Sequence, residues 1–333
     1  MRPLLLCAAL AALASVRPAG AQSCTTPGAA AVPDSAVGGL ASGPHTLVAN
    51  GVRLWYCAAG NARRGAAPVV FLHGGPGEGS FRFAALAGAP LERSLRMVYL
   101  DQRGSGRSER PWTGEYAMAA LVEDVEAVRR ALGVPRIAIM AHSFGVAIAL
   151  EYAARYPDHV WRMVLAGGLS DAAESGRSQC QQLSRVNPQA FARAREALDS
   201  AARADPRACD VFRALPGQEA EAFFHANMFP DPASAARVAR ADSASGHHRT
   251  GEIGRALFAG GLARWRFSEH ARLTMPVLVL AGALDHQVGM QGPRDLVRLL
   301  PNARLVVYPR SGHFVYVDDP ERFTREVTEF LAP

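Results

Sequence analysis

Residues 136–157 read RIAIMAHSFGVAIALEYAARYP. Arg136 to Met140 is a short apolar run, and its length and isoleucines predict a buried strand. Phe144 to Tyr156 predicts a helix, stopped at Pro157 because proline lacks the backbone N–H and clashes with the preceding turn. Ala141-His142-Ser143-Phe144-Gly145 must therefore turn the chain from strand to helix within a few residues. A serine in that context reads as a nucleophile elbow. The turn is tight, so the residues two positions either side of the serine must be small, as Ala141 and Gly145 are. Such a turn lifts the serine oxygen above the sheet, and the first N–H groups of the helix face it, where they can hold an oxyanion. An ordinary strand–helix turn with a capping serine is the plainer alternative.

The pattern repeats on both sides. His45 to Asn50 and Val52 to Ala59 flank Asn50-Gly51, a hairpin signal. Strands are predicted at Val69 to Leu72, Arg96 to Leu100, Val160 to Ala166, Pro276 to Leu280 and Arg304 to Tyr308. Helices are predicted from Met118 to Leu132, near Pro293 to Leu300 and from Pro320 to Leu331. Continuous apolar strands alternating with helices imply an α/β fold with a mostly parallel sheet covered on both faces. The alternation breaks near Asp171, where about a hundred residues become helical in period. The division expected is a core of 45–170 and 272–333, with an inserted helical cap over 171–271. The cap would sit above the carboxyl edge of the sheet, where open α/β sheets bind ligands.

A lone serine is a weak nucleophile and needs a base held by an acid. Asp285 follows the strand at Val277 to Leu280, and His313 follows the next strand in Ser311-Gly312-His313-Phe314. Ser143, Asp285 and His313 thus come in hydrolase order, each just past a strand on the same edge. Asp171, also after a strand, is the rival acid. His73-Gly74-Gly75-Pro76-Gly77 ends the strand at Val69 to Leu72. Its glycines let backbone approach a substrate closely, so the Gly75 N–H is the expected oxyanion donor beside that of Phe144. Gly74 and Glu78, which flank that donor, are the expected substrate neighbours. His73 and His142 read as packed spacers. Without a following lysine or a spaced acidic residue, the glycine loop does not read as a nucleotide site.

HGGPG at 73–77, DQRGSGRS at 101–108, the Ser143 elbow, Asp285 and GHF at 312–314 together resemble the prolyl aminopeptidase (proline iminopeptidase) family. The resemblance spans residues 65–170 and 273–332. It implies an α/β-hydrolase fold with an eight-stranded core, a helical cap, release of an N-terminal residue and no metal or cofactor. It also implies acidic cap residues that bind the substrate's free amine. Glu219, Glu221 and Glu252, with Glu78 in the core, are the carboxylates available, and no motif chooses among them. A carboxylesterase or amide hydrolase on the same triad is the alternative activity, and a non-catalytic binding protein on the same fold is the remote one. In the octet, Asp101 and Arg103 are expected to pair with each other or to cross-link loops.

All 36 basic residues are arginine. The absence of lysine removes Schiff-base and Ser-Lys chemistry. The net charge of +6 is scattered along the chain, which reads as solubility and not as a nucleic-acid footprint. No H-E-x-x-H or C-x-x-C pattern points to a metal. The expected partner is a small-molecule or short-peptide substrate, without nucleic acid or a membrane span. Arg2, the apolar run Leu4 to Ala14 and Ala19-Gly20-Ala21 read as a cleavable signal over 1–21, followed by an exported linker over 22–44. Export to a periplasm or medium leaves Cys24, Cys57, Cys180 and Cys209, whose three possible pairings sequence alone does not separate. Proximity along the chain makes Cys24–Cys57 and Cys180–Cys209 the expected disulfides.

Overall fold

A computed structural model of the chain describes residues 24–26, 32–33, 40–61, 66–196, 198–247 and 251–332. The signal expected at 1–21 lies outside the described residues. The hairpin pairs β2 (Gly43–Ala49) with β3 (Val52–Gly60) antiparallel. Asn50 and Gly51 turn it with φ of 51° and 74°, the left-handed pair that matches strand twist in a two-residue turn. The other strands are β1 (Val32–Pro33), β4 (Val69–Leu72), β5 (Arg96–Asp101), β6 (Ile137–His142), β7 (Val160–Ala166), β8 (Val277–Gly282) and β9 (Ala303–Tyr308). They join one sheet in the order β1-β2-β3-β5-β4-β6-β7-β8-β9, parallel from β5 to β9. The ninth strand relative to the expected eight is the two-residue β1 beside β2.

Side chains alternate across this sheet. Val70, Leu72, Ile137, Ile139 and Ala141 pack with α1 (Met118–Ala131) and α2 (Phe144–Arg155). Val69, Phe71, Ala138 and Met140 face the other layer, which holds Phe83, Phe323 and Val327. Each such fully buried large side chain contributes roughly 1.5–3 kcal/mol. Because β4 and β6 are neighbours in register, the glycine loop after β4 and the elbow after β6 leave the sheet side by side. Sequence periodicity missed the helical stretch Phe81–Phe83, Ala84–Gly88 and Ala89–Glu92. Its middle is a π turn, which breaks the 3.6-residue spacing on which helix recognition depends.

The insertion between β7 and β8 is helical. It contains α3 (Ala172–Val186), α4 (Pro188–Glu196), α5 (Gln218–Met228), α6 (Pro232–Ser245) and α7 (Glu252–Ala259). It has a small core of its own, with Leu183, Ala190, Val211, Leu215 and Phe223 around the Cys180–Cys209 disulfide. A second disulfide joins Cys24 to Cys57 on β3, across 5.6 Å between Cα atoms. Cys24 is buried and β1 pairs with β2, so the described part of 22–44 is tied to the sheet and does not hang free. No helix among the described residues is long and apolar enough to cross a membrane. After α8 (Gln291–Leu299) and β9, the chain closes with α9 (Pro320–Phe330).

The octet at 101–108 stitches loops together, but not through an Asp101–Arg103 pair. Asp101 accepts hydrogen bonds from Ser80 N and Oγ at 2.7 and 2.6 Å and from Arg107 N and Nε at 2.9 and 2.8 Å. Arg103 reaches Asp124 on α1 with a two-pronged contact at 2.6 and 2.7 Å. Gly106 is required, because a Cβ there would lie 2.4 Å from Asp101 Oδ2. Burial opposes the Asp101 charge, but Arg107 and the hydrogen bonds outweigh it and hold the carboxyl at about 2.

A folded-state pKa below the unfolded value stabilises the fold above about pH 4, and that stabilisation is lost as pH falls through about 2. Asp101→Asn is therefore expected to lower unfolding free energy by about 3–5 kcal/mol at pH 7, the range for breaking a buried pair. The gap from wild type should narrow toward about pH 2, as followed by urea titration. A gap that stays constant with pH would assign the loss to packing and not to charge. Reduction of both disulfides should lower stability by roughly 2–4 kcal/mol per bridge, and non-reducing peptide maps should return the two pairs named.

Candidate active site

The elbow is sterically enforced. Ser143 takes φ 54° and ψ −121°, one of two non-glycine residues with positive φ among the described residues. A Cβ on Gly145 would lie 2.3 Å from the Leu72 carbonyl oxygen, and one on Gly74 would lie 2.9 Å from Ser143 Cβ. Ser143 N–H donates to the Ala166 carbonyl at 3.1 Å, fixing the turn to β7. The Ser143 side chain makes no capping hydrogen bond to α2. That removes the capping-serine alternative and leaves the hydroxyl available for chemistry. Phe144 is the first residue of α2, so its N–H has no acceptor within the helix.

His313 Nδ1 lies 2.8 Å from Asp285 Oδ2, with both side chains buried. The carboxylate only accepts, so the proton sits on Nδ1 and leaves Nε2 as the basic nitrogen. Asp285 Oδ1 accepts in turn from Gln287 N at 2.9 Å and Val288 N at 3.1 Å, which holds the carboxylate in place. Asp171 has a different role. It caps α3 through Glu174 N at 3.0 Å and approaches Arg266 at 3.4 Å. No direct hydrogen bond joins Ser143 to His313 among the described residues, a contact that apo sites commonly complete only with substrate. His142, beside the serine, packs near His313 with ring centroids 4.8 Å apart, and its Nε2 donates to the His313 carbonyl at 3.1 Å. Burial first, and then the neighbouring His313, push the His142 pKa down to about 3.

His73 connects the glycine loop to the octet. Its Nδ1 donates to the Gly74 carbonyl at 2.9 Å, and its Nε2 accepts from Gln102 N at 3.1 Å. Burial lowers its pKa, in keeping with that neutral tautomer. Gly75 has φ 115°, and a Cβ there would lie 2.6 Å from Gly77 N, so no other residue fits.

A cavity of about 490 Å³ opens in front of Ser143, bounded by Gly75, Phe144 and the cap. Its walls are mainly apolar, with Leu169, Val211, Phe224 and Leu262 inside and Phe212 and Phe258 exposed at 69% and 52%. The carboxylate lining it is Asp210, which sequence reasoning did not single out. Asp210 reads locally as the N-cap of the short helix Val211–Ala214, accepting from Arg213 N at 3.2 Å. None of the four glutamates considered for amine binding lines this cavity. Glu78 is held by Arg82 at 2.8 Å in a separate small cavity, and Glu252 lies 3.8 Å from Arg110. Glu219 and Glu221 occupy the first turn of α5 and are exposed.

The profile of the alpha/beta hydrolase fold matches residues 67–320. The chain is 28% identical over 303 residues to a proline iminopeptidase of Lactiplantibacillus plantarum, covering 85% of this chain and 98% of that protein. It is 30% identical over 282 residues to a 2-hydroxymuconate semialdehyde hydrolase of Pseudomonas putida, covering 80% of this chain and 87% of that one. Among solved structures, a proline iminopeptidase-related protein of Thermus thermophilus superposes with a TM-score of 0.71 at 26% identity, over 87% of this chain and 96% of that chain.

His142 is neutral well above its pKa of about 3, so it does not titrate in the range where an imidazole base does. His142→Asn is expected to lower activity through lost packing while the acid limb of the kcat/KM profile keeps its position. If the limb vanished or moved by more than about a unit, His142 would be the titrating base.

Proposed function

The chain belongs to the α/β-hydrolase fold family, and on that premise we propose that it is an exported serine hydrolase with Ser143, His313 and Asp285 as its catalytic residues. The observation that carries the proposal is the buried Asp285–His313 contact at 2.8 Å beside a serine held in a forced elbow. Ser143 Oγ attacks the carbonyl as His313 Nε2 takes its proton. Asp285 keeps the histidine in the required tautomer and stabilises the imidazolium. The Gly75 and Phe144 N–H groups hold the oxyanion, a contribution of several kcal/mol in comparable sites. His313 then protonates the leaving group, and a water activated by the same histidine releases the acyl group. The expected signal at 1–21 and the two disulfides support export.

The substrate reading is an aminopeptidase acting on short peptides with an apolar N-terminal residue. The HGGPG and DQRGSGRS motifs support it, as does the similarity to a proline iminopeptidase along nearly that protein's whole length. The apolar cavity accommodates the side chain. Asp210 is the available partner for the substrate ammonium, which is costly to bury unpaired. Its present partner, Arg213, is 3.7 Å away with a side chain 69% exposed, a weak ion pair that a bound amine can displace. The second reading is a carboxylesterase for small apolar esters. It is favoured by the remaining apolar lining and by the placement of the four glutamates away from the cavity.

Ser143→Ala should retain its fold and lose about 10⁴–10⁶ in turnover. Full activity in that variant would refute the triad. Aryl-amides of proline and alanine, their N-acetyl forms and short aryl esters should be compared in parallel. A free-amine requirement that weakens in Asp210→Asn, with activity declining as the substrate amine deprotonates at about pH 8, is the aminopeptidase outcome. Equal cleavage of blocked and free amides, or of esters alone, would establish the esterase.

A further inference from the structure

Arg82 is a buried arginine that the proposed chemistry does not use. It follows the glycine loop, in the helical turn Phe81–Phe83, and is 6% exposed. Its guanidinium reaches three parts of the molecule. Nη1 donates to Glu78 Oε2 at 2.8 Å. Nε and Nη2 fork onto Asp242 Oδ1 and Oδ2 at 2.7 and 2.6 Å, and Asp242 lies on α6 of the cap. The guanidinium carbon stands 5.4 Å from the ring centre of Phe314, the residue after His313.

Each arm ends one step from the reacting groups. Glu78 adjoins the glycine loop, and its Cγ is 3.1 Å from the position a Gly75 Cβ would occupy. Phe314 lies against His142 at 4.9 Å and is stacked on Phe229 of the cap at 4.8 Å. The same cap helix is also fastened to the core by Arg237 Nη2, which donates to the Val317 carbonyl at 2.6 Å. Arginine suits this position because its planar fork makes three fixed hydrogen bonds and still presents a face to an aromatic ring, which a lysine ammonium does not.

We propose that Arg82 is a positioning residue for the hydrolysis: it sets the Gly75 oxyanion donor through Glu78 and the His313 loop through Phe314, and it keys both to the seated cap through Asp242. The inference rests on the assignment of Ser143, His313 and Gly75 above. It extends that assignment by making turnover depend on an arginine that touches no substrate. The dependence should fall on kcat, because the distances that change are those that matter in the transition state and not those that bind the ground state.

The test uses the full chain, with Arg82→Lys and the milder Asp242→Asn, whose target side chain is 41% exposed and so carries less risk of misfolding. The probe is a para-nitrophenyl alkylphosphonate, which labels the nucleophilic serine and needs the oxyanion site, alongside whichever chromogenic substrate the wild type cleaves. Arg82→Lys is expected to lower kcat and the labelling rate together by roughly ten- to a hundredfold, with KM within about threefold. Asp242→Asn should lower both by roughly three- to tenfold, and the double variant should be no worse than Arg82→Lys alone. Circular dichroism and Tm establish that each variant is folded at the assay temperature. If folded Arg82→Lys and Asp242→Asn keep wild-type kcat and labelling rates, Arg82 is structural and the proposal is wrong. An increase confined to KM, or additive losses, would also overturn it. Failure of the underlying triad reads out separately, as absence of label on Ser143 in the wild type.

Discussion

The carboxyl ends of β4 and β6 are crowded together, and the rest of the site is built around that crowding. The Leu72 carbonyl lies where any side chain at 145 would begin, and Ser143 Cβ lies where any side chain at 74 would begin. The missing Cβ atoms of Gly74 and Gly145 therefore let the elbow and the glycine loop share one edge of the sheet. With that approach made, Ser143 is held at φ 54° by β7 on one side and α2 on the other. Strain of this kind persists only where the surroundings over-determine it. Here they do so through register: β4 and β6 pair residue for residue up to Leu72 and Ala141.

The polar groups beneath the site are largely paired, and their pairing explains why the octet at 101–108 is so rich in charge. Asp101, wholly buried, is surrounded by donors from Ser80 and Arg107 and held ionised. Arg107 also lies over the Trp55 ring at 3.2 Å and reaches the Cys24 carbonyl, so the disulfide-bound N-terminal segment and the octet brace each other. Gln102 passes that rigidity to the glycine loop by donating from its backbone to His73 and from its side chain to the His73 carbonyl at 2.9 Å. This chain of contacts restrains the loop that carries Gly75, the proposed oxyanion donor, and such a donor is effective only when it need not reorganise.

Much of this was legible in the sequence because it depends on neighbours along the chain. The apolar strands, the Asn50-Gly51 turn and the small residues around Ser143 all follow local rules. Both cysteine pairs close short loops, with separations of 33 and 29 residues. What escaped reading depends on distant partners. In sequence Glu78 reads as available for a substrate amine, because nothing nearby announces that Arg82 holds it, or that Arg82 is anchored by Asp242 on the cap. Asp210 is inconspicuous in sequence for the opposite reason. Its local pattern is fully explained by helix capping, and only the folding of the cap brings it to the cavity in front of Ser143. Arg103 likewise finds Asp124 on α1 instead of its near neighbour Asp101, since the turn after β5 points the two octet side chains to different loops.

The cap's attachment also bounds the cavity in front of Ser143. The cap is bonded directly to the loops that carry Asp285 and His313: His313 N–H donates to the Met228 carbonyl at 3.0 Å and His286 N–H to the Asn227 carbonyl at 3.0 Å. Gly312 has no room for a side chain there, since a Cβ would lie 2.4 Å from the Met228 oxygen. The first cap helix is fastened too, through Ser178 to the His286 carbonyl at 3.3 Å and Gln179 to the Gln287 carbonyl at 2.9 Å. Opening the cap at either place would break bonds on the residues that hold Asp285 and His313. Phe212 and Phe258 present two exposed aromatic rings along the cavity in front of Ser143, which Gln179 and Gln287 also line. The two rings set apolar surface in water, the kind of surface that an apolar group of a bound molecule covers.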